Sequence, residues 1–469
     1  MAEPASTPKP TGVEEQHKII GLKSHSDQDA SSQTHHPGTL WFPEAGLGMI
    51  IHWGISSVHG GLDLSWGMIR NTHWDAEYEG KNKIAPREYI QLADRFNPQH
   101  YDPDRWIQAA AAAGFKYAVL TTRHCDGYSL WPSQHGDLGT HTHLGGLDLL
   151  QPFVDACRKH GLKVGFYYSP FDWYFNREYM AYDIAQMGTD TQPGSLVCNF
   201  DWQMAPLKAM PPEHLERYRA YERGQIMELL TRYGKIDIIW IDGVPESVTA
   251  DEMRAIQPGI IVGRWPEGDF DTPECHLPRQ KPSRWWEGCF IWNYHSWGYQ
   301  KPDGYNPTGW MLHVLTHCRT WGGNLIINFA PTPDGTMPES YYERMAELKD
   351  WMEWGAESIV GIEAGPFPER CNVPVTVRGN KWYLHLLCPE EDDKGTSWFL
   401  HTIDPKYPVR QYQQQEKKAV LTQVHATPES IRLLRTGETI DFQLDGDHIT
   451  ISLPQEKSTL LDDVVVVDW

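Results

Sequence analysis

Helix-forming stretches that stop at a glycine and lead straight into a short apolar run recur along this chain, and that alternation leaves few architectures open. Asp102-Pro103 supplies an N-cap and first turn, residues 106–113 are alanine-rich, and Gly114 stops the helix before the run Tyr117 to Thr122. Asp148 opens a second helix that ends at Gly161 before Lys163 to Tyr168, and residues 212–233 form a third that ends at Gly234 before Ile236 to Ile241. Repeated α then β with short connections predicts a parallel sheet covered by helices, and the span from 39 to 365 suits an α/β fold of the TIM-like (β/α)8 barrel type. A doubly wound open sheet is the alternative, but no Gly-x-Gly-x-x-Gly loop follows the first strand.

Each predicted strand ends in side chains that can do chemistry. The run Asp237-Ile238-Ile239-Trp240-Ile241-Asp242-Gly243 is short enough for one buried strand and stops in a carboxylate followed by glycine. Tyr117 to Thr122 runs into Arg123-His124-Cys125-Asp126-Gly127, Lys163 to Tyr168 into Ser169, and Leu47 to Ile51 into His52-Trp53-Gly54. In a parallel barrel the C-terminal strand ends form the floor of the active site. One such residue alone fits a turn or a hydrogen-bonded structural role; four strand ends with the same character point to a site.

The chain has 469 residues, 40% of them hydrophobic, enough for a large core. Its 41 Lys and Arg against 62 Asp and Glu leave a formal charge of −21, which argues against nucleic acid or anionic membrane as partner and suits an enzyme with a neutral ligand. Aromatics make up 12%, with 21 Trp; such rings stack on the flat faces of sugars, and they also fill large cores. The cysteines, at 125, 157, 198, 275, 289, 318, 371 and 388, lack C-x-x-C spacing, which predicts mostly buried free thiols rather than a zinc or redox motif. His141-Thr142-His143 and His35-His36 have no nearby carboxylates and read as surface turns, so no metal and no cofactor is expected.

Residues 1–38 are rich in Pro, Ser, Thr, Lys and His, lack an apolar stretch long enough for a signal peptide or membrane span, and read as a flexible lead-in. The expected compartment is cytoplasmic, or periplasmic or secreted if a leader has been removed. From 366 to 469 the helical periodicity gives way to short alternating runs: Val373 to Val377, Lys381 to Leu387, Trp398 to His401, Ser430 to Leu434, Ile440 to Leu444, His448 to Leu453 and Val464 to Val467. These predict an antiparallel β domain.

If Asp242 is a nucleophile at an acetal carbon, a second carboxylate is needed, because retaining glycosidases pair two carboxyls about 5–5.5 Å apart. Glu287, in Arg284-Trp285-Trp286-Glu287-Gly288-Cys289, has flanking aromatics that could desolvate it and raise its pKa. Glu267, Asp269, Asp271 and Glu274 are rivals in a Pro/Gly-rich stretch expected to face solvent, with Glu274 kept open.

These residues resemble the α-L-fucosidases of glycoside hydrolase family 29. The matching segments are Trp41 to Gly54, Val119 to Ser133, Gly161 to Trp173, Ile239 to Gly243, Trp286-Glu287 with Ser296-Trp297-Gly298-Tyr299, and Gly322-Gly323-Asn324 through Pro331-Thr332-Pro333-Asp334-Gly335. The resemblance implies a catalytic barrel over 39–365 followed by a C-terminal β-sandwich over 366–469, and a retaining exo-glycosidase acting on a fucosylated or related glycan. By it Asp242 is the nucleophile and Glu287 the acid/base, while His52, Trp66, His124, Cys125, Tyr168, Trp240, Arg264 and Trp297 hold the sugar or the nucleophile.

Two positions depart from the family pattern, which has Glu-Trp where this chain has Ser65-Trp66 and His-His-Asp-Gly where it has His124-Cys125-Asp126-Gly127. A thiol is a poor substitute for imidazole in a hydrogen bond, and Asp63 and His59 are candidate replacements. A glycosidase for a different sugar and a non-catalytic carbohydrate-binding protein are the alternatives. A nicotinamide-dependent oxidoreductase lacks its phosphate loop.

Overall fold

Acidic caps and glycine stops set where the first two helices begin and end. The computed structural model describes residues 33–72, 83–188, 191–265, 268–278, 280–293, 296–388 and 414–469. Helix α1 (Pro103–Ala112) starts where Asp102 accepts a hydrogen bond from the Arg105 amide, and α2 (Leu150–His160) where Asp148 accepts from the Leu150 and Gln151 amides. Gly161 closes α2 at φ 76°, a left-handed conformation that a Cβ would strain. Next come α3 (Pro212–Arg232), α4 (Ala250–Ile256) with a Thr249/Glu252 capping box, α5 (Thr308–Thr320) and α6 (Glu339–Gly355).

The strands between them are β1 (Leu47–Ile51), β2 (Tyr117–Arg123), β3 (Lys163–Tyr168), β4 (Ile238–Ile241), β5 (Ile261–Gly263), β6 (Glu287–Ile291) and β7 (Asn324–Phe329). All pair in parallel, in the order β5-β4-β3-β2-β1-β7-β6. Both faces are covered, so the strands read as continuous apolar runs. Alternation nevertheless sorts the side chains. Ile50, Val119, Tyr167, Ile238, Trp240, Cys289 and Ile326 pack together inside, whereas Ile51, Leu120, Phe166, Tyr168, Ile239 and Ile241 join the larger core beneath the helices.

Where eight strands were expected, the ladder among the described residues has seven, a curled half-barrel with β5 and β6 as its edges. Residues 268–275 lie between those edges. The Asp269 amide bonds Val262 O at 2.7 Å, and the segment then runs along β6 through single bridges, Asp271 to Trp286 and Glu274 to Cys289. Pro273 offers no amide hydrogen and Cys275 turns to φ 53°, so no continuous ladder forms.

The C-terminal strands are β8 (Glu363–Ala364), β9 (Val375–Arg378), β10 (Lys381–Leu386), β11 (Lys417–Leu421), β12 (Ser430–Leu433), β13 (Phe442–Asp445), β14 (His448–Leu453) and β15 (Asp463–Asp468). They form two antiparallel sheets, β8-β9-β10-β15-β12 and β11-β14-β13, whose inner residues share one apolar cluster. The expected strand Trp398 to His401 and residues 1–32 of the lead-in fall outside the described residues. The second strand pattern begins earlier than residue 366, since Glu363–Ala364 already pairs with Val375–Arg378. Thr320 Oγ1 donates to Val375 O at 2.6 Å and Trp351 Nε1 to Asp462 O at 2.8 Å, which ties these sheets to α5 and α6.

Candidate active site

Strand parity aims Asp242 inward. Ile238 and Trp240 are interior, so Asp242, two residues further along the same chain direction, rises from the inner face just past β4. There it lines an open cavity together with His52, Leu64, Trp66, His124, Cys125, Tyr167, Trp240, Arg264, Glu274, Cys289 and Trp297.

Both oxygens of Asp242 have donors. Tyr167 Oη donates to Oδ2 at 2.6 Å and Arg264 Nε to Oδ1 at 2.7 Å. The same guanidinium reaches Glu274 through Nη2, so two carboxylates sit on neighbouring nitrogens of one cation whose side chain is 5% exposed. Burial alone would lower the Arg264 pKa, but Glu274 and then Asp242 outweigh it and raise it, so the cation is permanent. Arg264 follows β5 directly and adopts φ 51°, a conformation costing about 1–3 kcal/mol that turns its side chain towards Asp242. Its guanidinium lies 4.9 Å from the centroid of the Trp240 ring.

The two histidines are neutral. Burial pulls His52 down to about 4 and His124 down to about 3, in the second case aided by His52. The Asn328 amide nitrogen donates to Trp297 O at 2.8 Å, so its Oδ1, 2.7 Å from His52 Nδ1, must accept. His52 is therefore protonated on Nδ1 and presents Nε2 as an acceptor, suited to a sugar hydroxyl. His124 Nδ1 is hydrogen-bonded to Ser65 Oγ, and its ring stacks on Tyr167 with centroids 5.7 Å apart. Trp66 packs edge-on against Trp173 at 5.0 Å, and the Cys125 thiol sits 3.1 Å from Ser169 Oγ. Trp66, Trp240 and Trp297 give the cavity aromatic walls for the apolar face of a ring.

Nine of the ten residues singled out from the sequence are gathered here or just beneath, and two hold positions other than those expected. Glu287 is the first residue of β6 and points inside at the N-terminal end of the strands, while Cys289, two residues on, lines the cavity. Two strand residues span about 7 Å, which puts Glu287 a layer below the site. It is fully buried, accepting from Tyr117 Oη at 2.6 Å and Trp240 Nε1 at 2.7 Å, and burial raises its carboxyl to about 7. Tyr168 is one residue out of phase with Tyr167 and faces the helices, where its hydroxyl meets Gln225 at 3.2 Å and Arg123 covers its ring at 4.4 Å. Of the two tyrosines it is Tyr167 that lines the cavity.

The loop acids are not solvent-facing. Asp269, Asp271 and Glu274 are all buried, and Glu267 lies outside the described residues. Asp269 is occupied by Arg254 and by the Thr34 and Val262 amides. Asp63 accepts from Ser296 Oγ and the Trp297 amide, bracing the wall rather than lining it, and His59 is likewise not among the lining residues. Tyr167 could have been found from parity once Tyr167 and Trp240 were paired in register. Glu274 carried no periodic signal, because its segment forms no ladder.

Residues 16–357 match the family model described as Alpha-L-fucosidase. The tissue alpha-L-fucosidase of Rattus norvegicus is 27% identical over 371 residues, 71% of this chain and 72% of the relative. The alpha-L-fucosidase of Dictyostelium discoideum is 28% identical over 343 residues, 68% of this chain and 71% of the relative. Among solved structures, alpha-L-fucosidase isoenzyme 1 from Paenibacillus thiaminolyticus matches with a TM-score of 0.68 at 28% identity, covering 92% of this chain and 98% of that one.

Proposed function

The chain belongs to the alpha-L-fucosidase family of glycoside hydrolases, and from that premise we propose that it removes terminal α-L-fucosyl residues from fucosylated glycans with retention of configuration, Asp242 acting as nucleophile and Glu274 as acid/base. The observation that carries this assignment is the sharing of the Arg264 guanidinium by Asp242 and Glu274 at the mouth of an aromatic-walled cavity. Adjacent donors on one guanidinium favour the short carboxyl separation that retention needs. The scaffold is read as a (β/α)8 barrel in which residues 268–275 stand in for the missing stave, followed by a β-sandwich.

Charge balance assigns the roles. Two carboxylates against one guanidinium leave one negative charge in excess, and a single proton removes it. Asp242, held by donors on both oxygens, takes the role of attacking carboxylate, and Glu274 that of the group which delivers a proton. Asp242 Oδ attacks the anomeric carbon as the bond to the leaving oxygen breaks, and the Glu274 proton passes to that oxygen. Asp242 is then a neutral ester and Glu274 an anion paired with Arg264, so the site is balanced again. Glu274 next takes a proton from water as the water oxygen attacks the same carbon, and the Asp242 carboxylate is released.

Cys125 at the cavity wall and Ser65 on His124 favour a second reading, in which the same machinery accepts a sugar with different ring substituents at that wall. Release of nitrophenol from an aryl α-L-fucoside, with Asp242→Ala alongside, tests both. Turnover lost in the variant is expected. Undiminished turnover in Asp242→Ala would overturn the nucleophile, and a wild type active only on another aryl glycoside would replace the sugar.

A further inference from the structure

The segment that carries Glu274 enters no continuous ladder, so its place between β5 and β6 has to be fixed by other means. Along β6 it makes single bridges at Asp271 and Glu274. Across the gap, on β5, the attachment is reciprocal. Ile261 bonds back towards β4 through its amide, and the main-chain groups of Val262, which face the open edge, are both taken by Asp269. The Asp269 amide donates to Val262 O at 2.7 Å, and the Val262 amide donates to Asp269 Oδ2 at 2.7 Å. A side-chain carboxylate thus fills the place of a neighbouring strand's carbonyl. Its other oxygen accepts from Arg254 Nη2 of α4 at 2.7 Å and from the Thr34 amide at 2.7 Å. Asp269 is fully buried, and a carboxylate accepting from a cation makes bonds about twice as strong as neutral ones. Phe270 extends the contact: its ring stacks on Phe42 with centroids 4.5 Å apart and lies so close to β5 that a Cβ on Gly263 would fall 2.3 Å from it.

This clamp closes a short loop around the proposed acid. Two residues lead from Val262 to Arg264 and five from Asp269 to Glu274, and the two paths rejoin where Arg264 Nη2 meets Glu274. A shift of Asp269 against Val262 is therefore passed on as a shift of Glu274 against Arg264, and through Arg264 Nε against Asp242. The bonds on the β6 side, from the Cys289 amide to Pro273 O at 2.9 Å and from the Cys275 amide to Cys289 O at 2.8 Å, set the height of the segment along that strand. Asp269 ties it across the gap. Asp269 is not among the residues lining the cavity, so any effect it has on the reaction passes through the groups it holds.

We infer that Asp269 is a positioning residue for the acid/base, clamping the 268–275 segment to β5 so that Glu274 keeps its separation from Arg264 and Asp242, an inference that rests on the proposed role of Glu274. Thr34, from the stretch that precedes the barrel, belongs to the same clamp through its amide.

The test compares wild type, Asp269→Asn, Thr34→Pro and Glu274→Gln on an aryl α-L-fucoside and on fucosyllactose, with and without azide, an anion that attacks without a base. Asp269→Asn keeps the shape and gives up the charge that Arg254 faces; Thr34→Pro removes one amide donor and leaves every side chain of the site in place. A misplacement of about 1 Å costs about 10²-fold, so kcat on fucosyllactose is expected to fall about 10- to 10²-fold in Asp269→Asn and by less in Thr34→Pro. The aryl substrate should lose less and regain rate with azide, and the inhibition constant of L-fucose should stay at its wild-type value. A folded Asp269→Asn that melts earlier, yet keeps the wild-type ratio of the two substrates and does not respond to azide, overturns the inference. If Asp269→Asn does not fold, the same ratio in Thr34→Pro decides. If Glu274→Gln shows neither loss nor azide response, the acid/base reading fails, and hydrogen exchange decides the clamp alone, read at the Asp271 and Cys275 amides, which bond Trp285 O at 3.0 Å and Cys289 O at 2.8 Å. Faster exchange in the variants confined to that segment supports it; exchange unchanged there, or raised equally throughout the barrel, overturns it.

Discussion

Replacing Glu274 and Glu287 separately by Gln sets the carboxylate on Arg264 against the one beneath the site. Loss of a general acid costs about 10²–10⁴ in rate. For Glu274→Gln that full loss is expected on fucosyllactose, whose alkoxide leaving group needs the proton. Nitrophenolate departs unaided, so the aryl fucoside suffers a smaller loss in its first step, and azide, an anionic nucleophile that needs no base, restores the second. Glu287 accepts two hydrogen bonds, at 2.6 and 2.7 Å, and an amide can accept only one of them through its oxygen. One buried donor is left facing an NH2 group, a cost of about 1–3 kcal/mol that falls on stability. Glu287→Gln should therefore melt earlier and keep kcat within the same order of magnitude. Steady-state kinetics on both substrates, with thermal unfolding of each variant, measure this. A folded Glu287→Gln that loses 100-fold or more, on the order of a general acid's contribution, and regains rate with azide, beside an active Glu274→Gln, would refute the assignment.

The Glu287 carboxyl, raised by burial from 4.5 to about 7, binds its proton more tightly folded than unfolded, so its contribution to stability is full below the unfolded pKa and lost as pH rises to about 7. At 1.36 kcal/mol per unit this is about 3 kcal/mol, and the stability advantage of wild type over Glu287→Gln, from urea unfolding, should shrink by about that much between acid and neutral pH; a pH-independent difference would contradict it. Arg264→Lys removes the fork that serves Asp242 and Glu274 together, and kcat should fall about 10²-fold with the fold preserved; near-normal kcat would show that the shared cation is dispensable. His52, held down to about 4, should show a neutral imidazole protonated on Nδ1 in 15N NMR from about pH 5.5 upward; a titration near 6.5, the ordinary value, would contradict its burial. Tyr167→Phe removes the donor at 2.6 Å from Asp242 Oδ2 and should lower kcat about tenfold or more, since a hydrogen bond to a charged group contributes about 1.5–3 kcal/mol; an unchanged kcat would contradict that role.

Much of the scaffold was legible because its signals are local. A cap such as Asp102, a stop such as Gly161 and an apolar run such as Ile238 to Ile241 each act within a few residues. The position of Asp242 at a strand end on the cavity wall was legible for the same reason. What failed was phase and depth. Tyr167 and Tyr168 are alike in sequence, and only pairing of Tyr167 with Trp240 shows which one faces inward. Glu287 has the aromatic setting of a tuned acid, and burial does raise its pKa, but it begins its strand where a catalytic group would end one. Glu274 was kept open as a rival acid but its burial was not legible, because its segment lacks periodicity and the burial arises from long-range contact with β6 and Arg264. The eighth strand was expected from repetition, and Pro273 with Cys275 interrupts the ladder there.

Trapping the intermediate tests the central claim most directly. A 2-fluoro-fucosyl fluoride slows both steps and leaves the ester in place, so intact mass followed by peptide mapping reads the attacking carboxylate. The account predicts one fluorofucosyl unit per chain, attached at Asp242 and accumulating further in Glu274→Gln when nucleophilic rescue is withheld. A label on another carboxylate, or active enzyme that hydrolyses α-L-fucosides without ever accumulating a label, would contradict it.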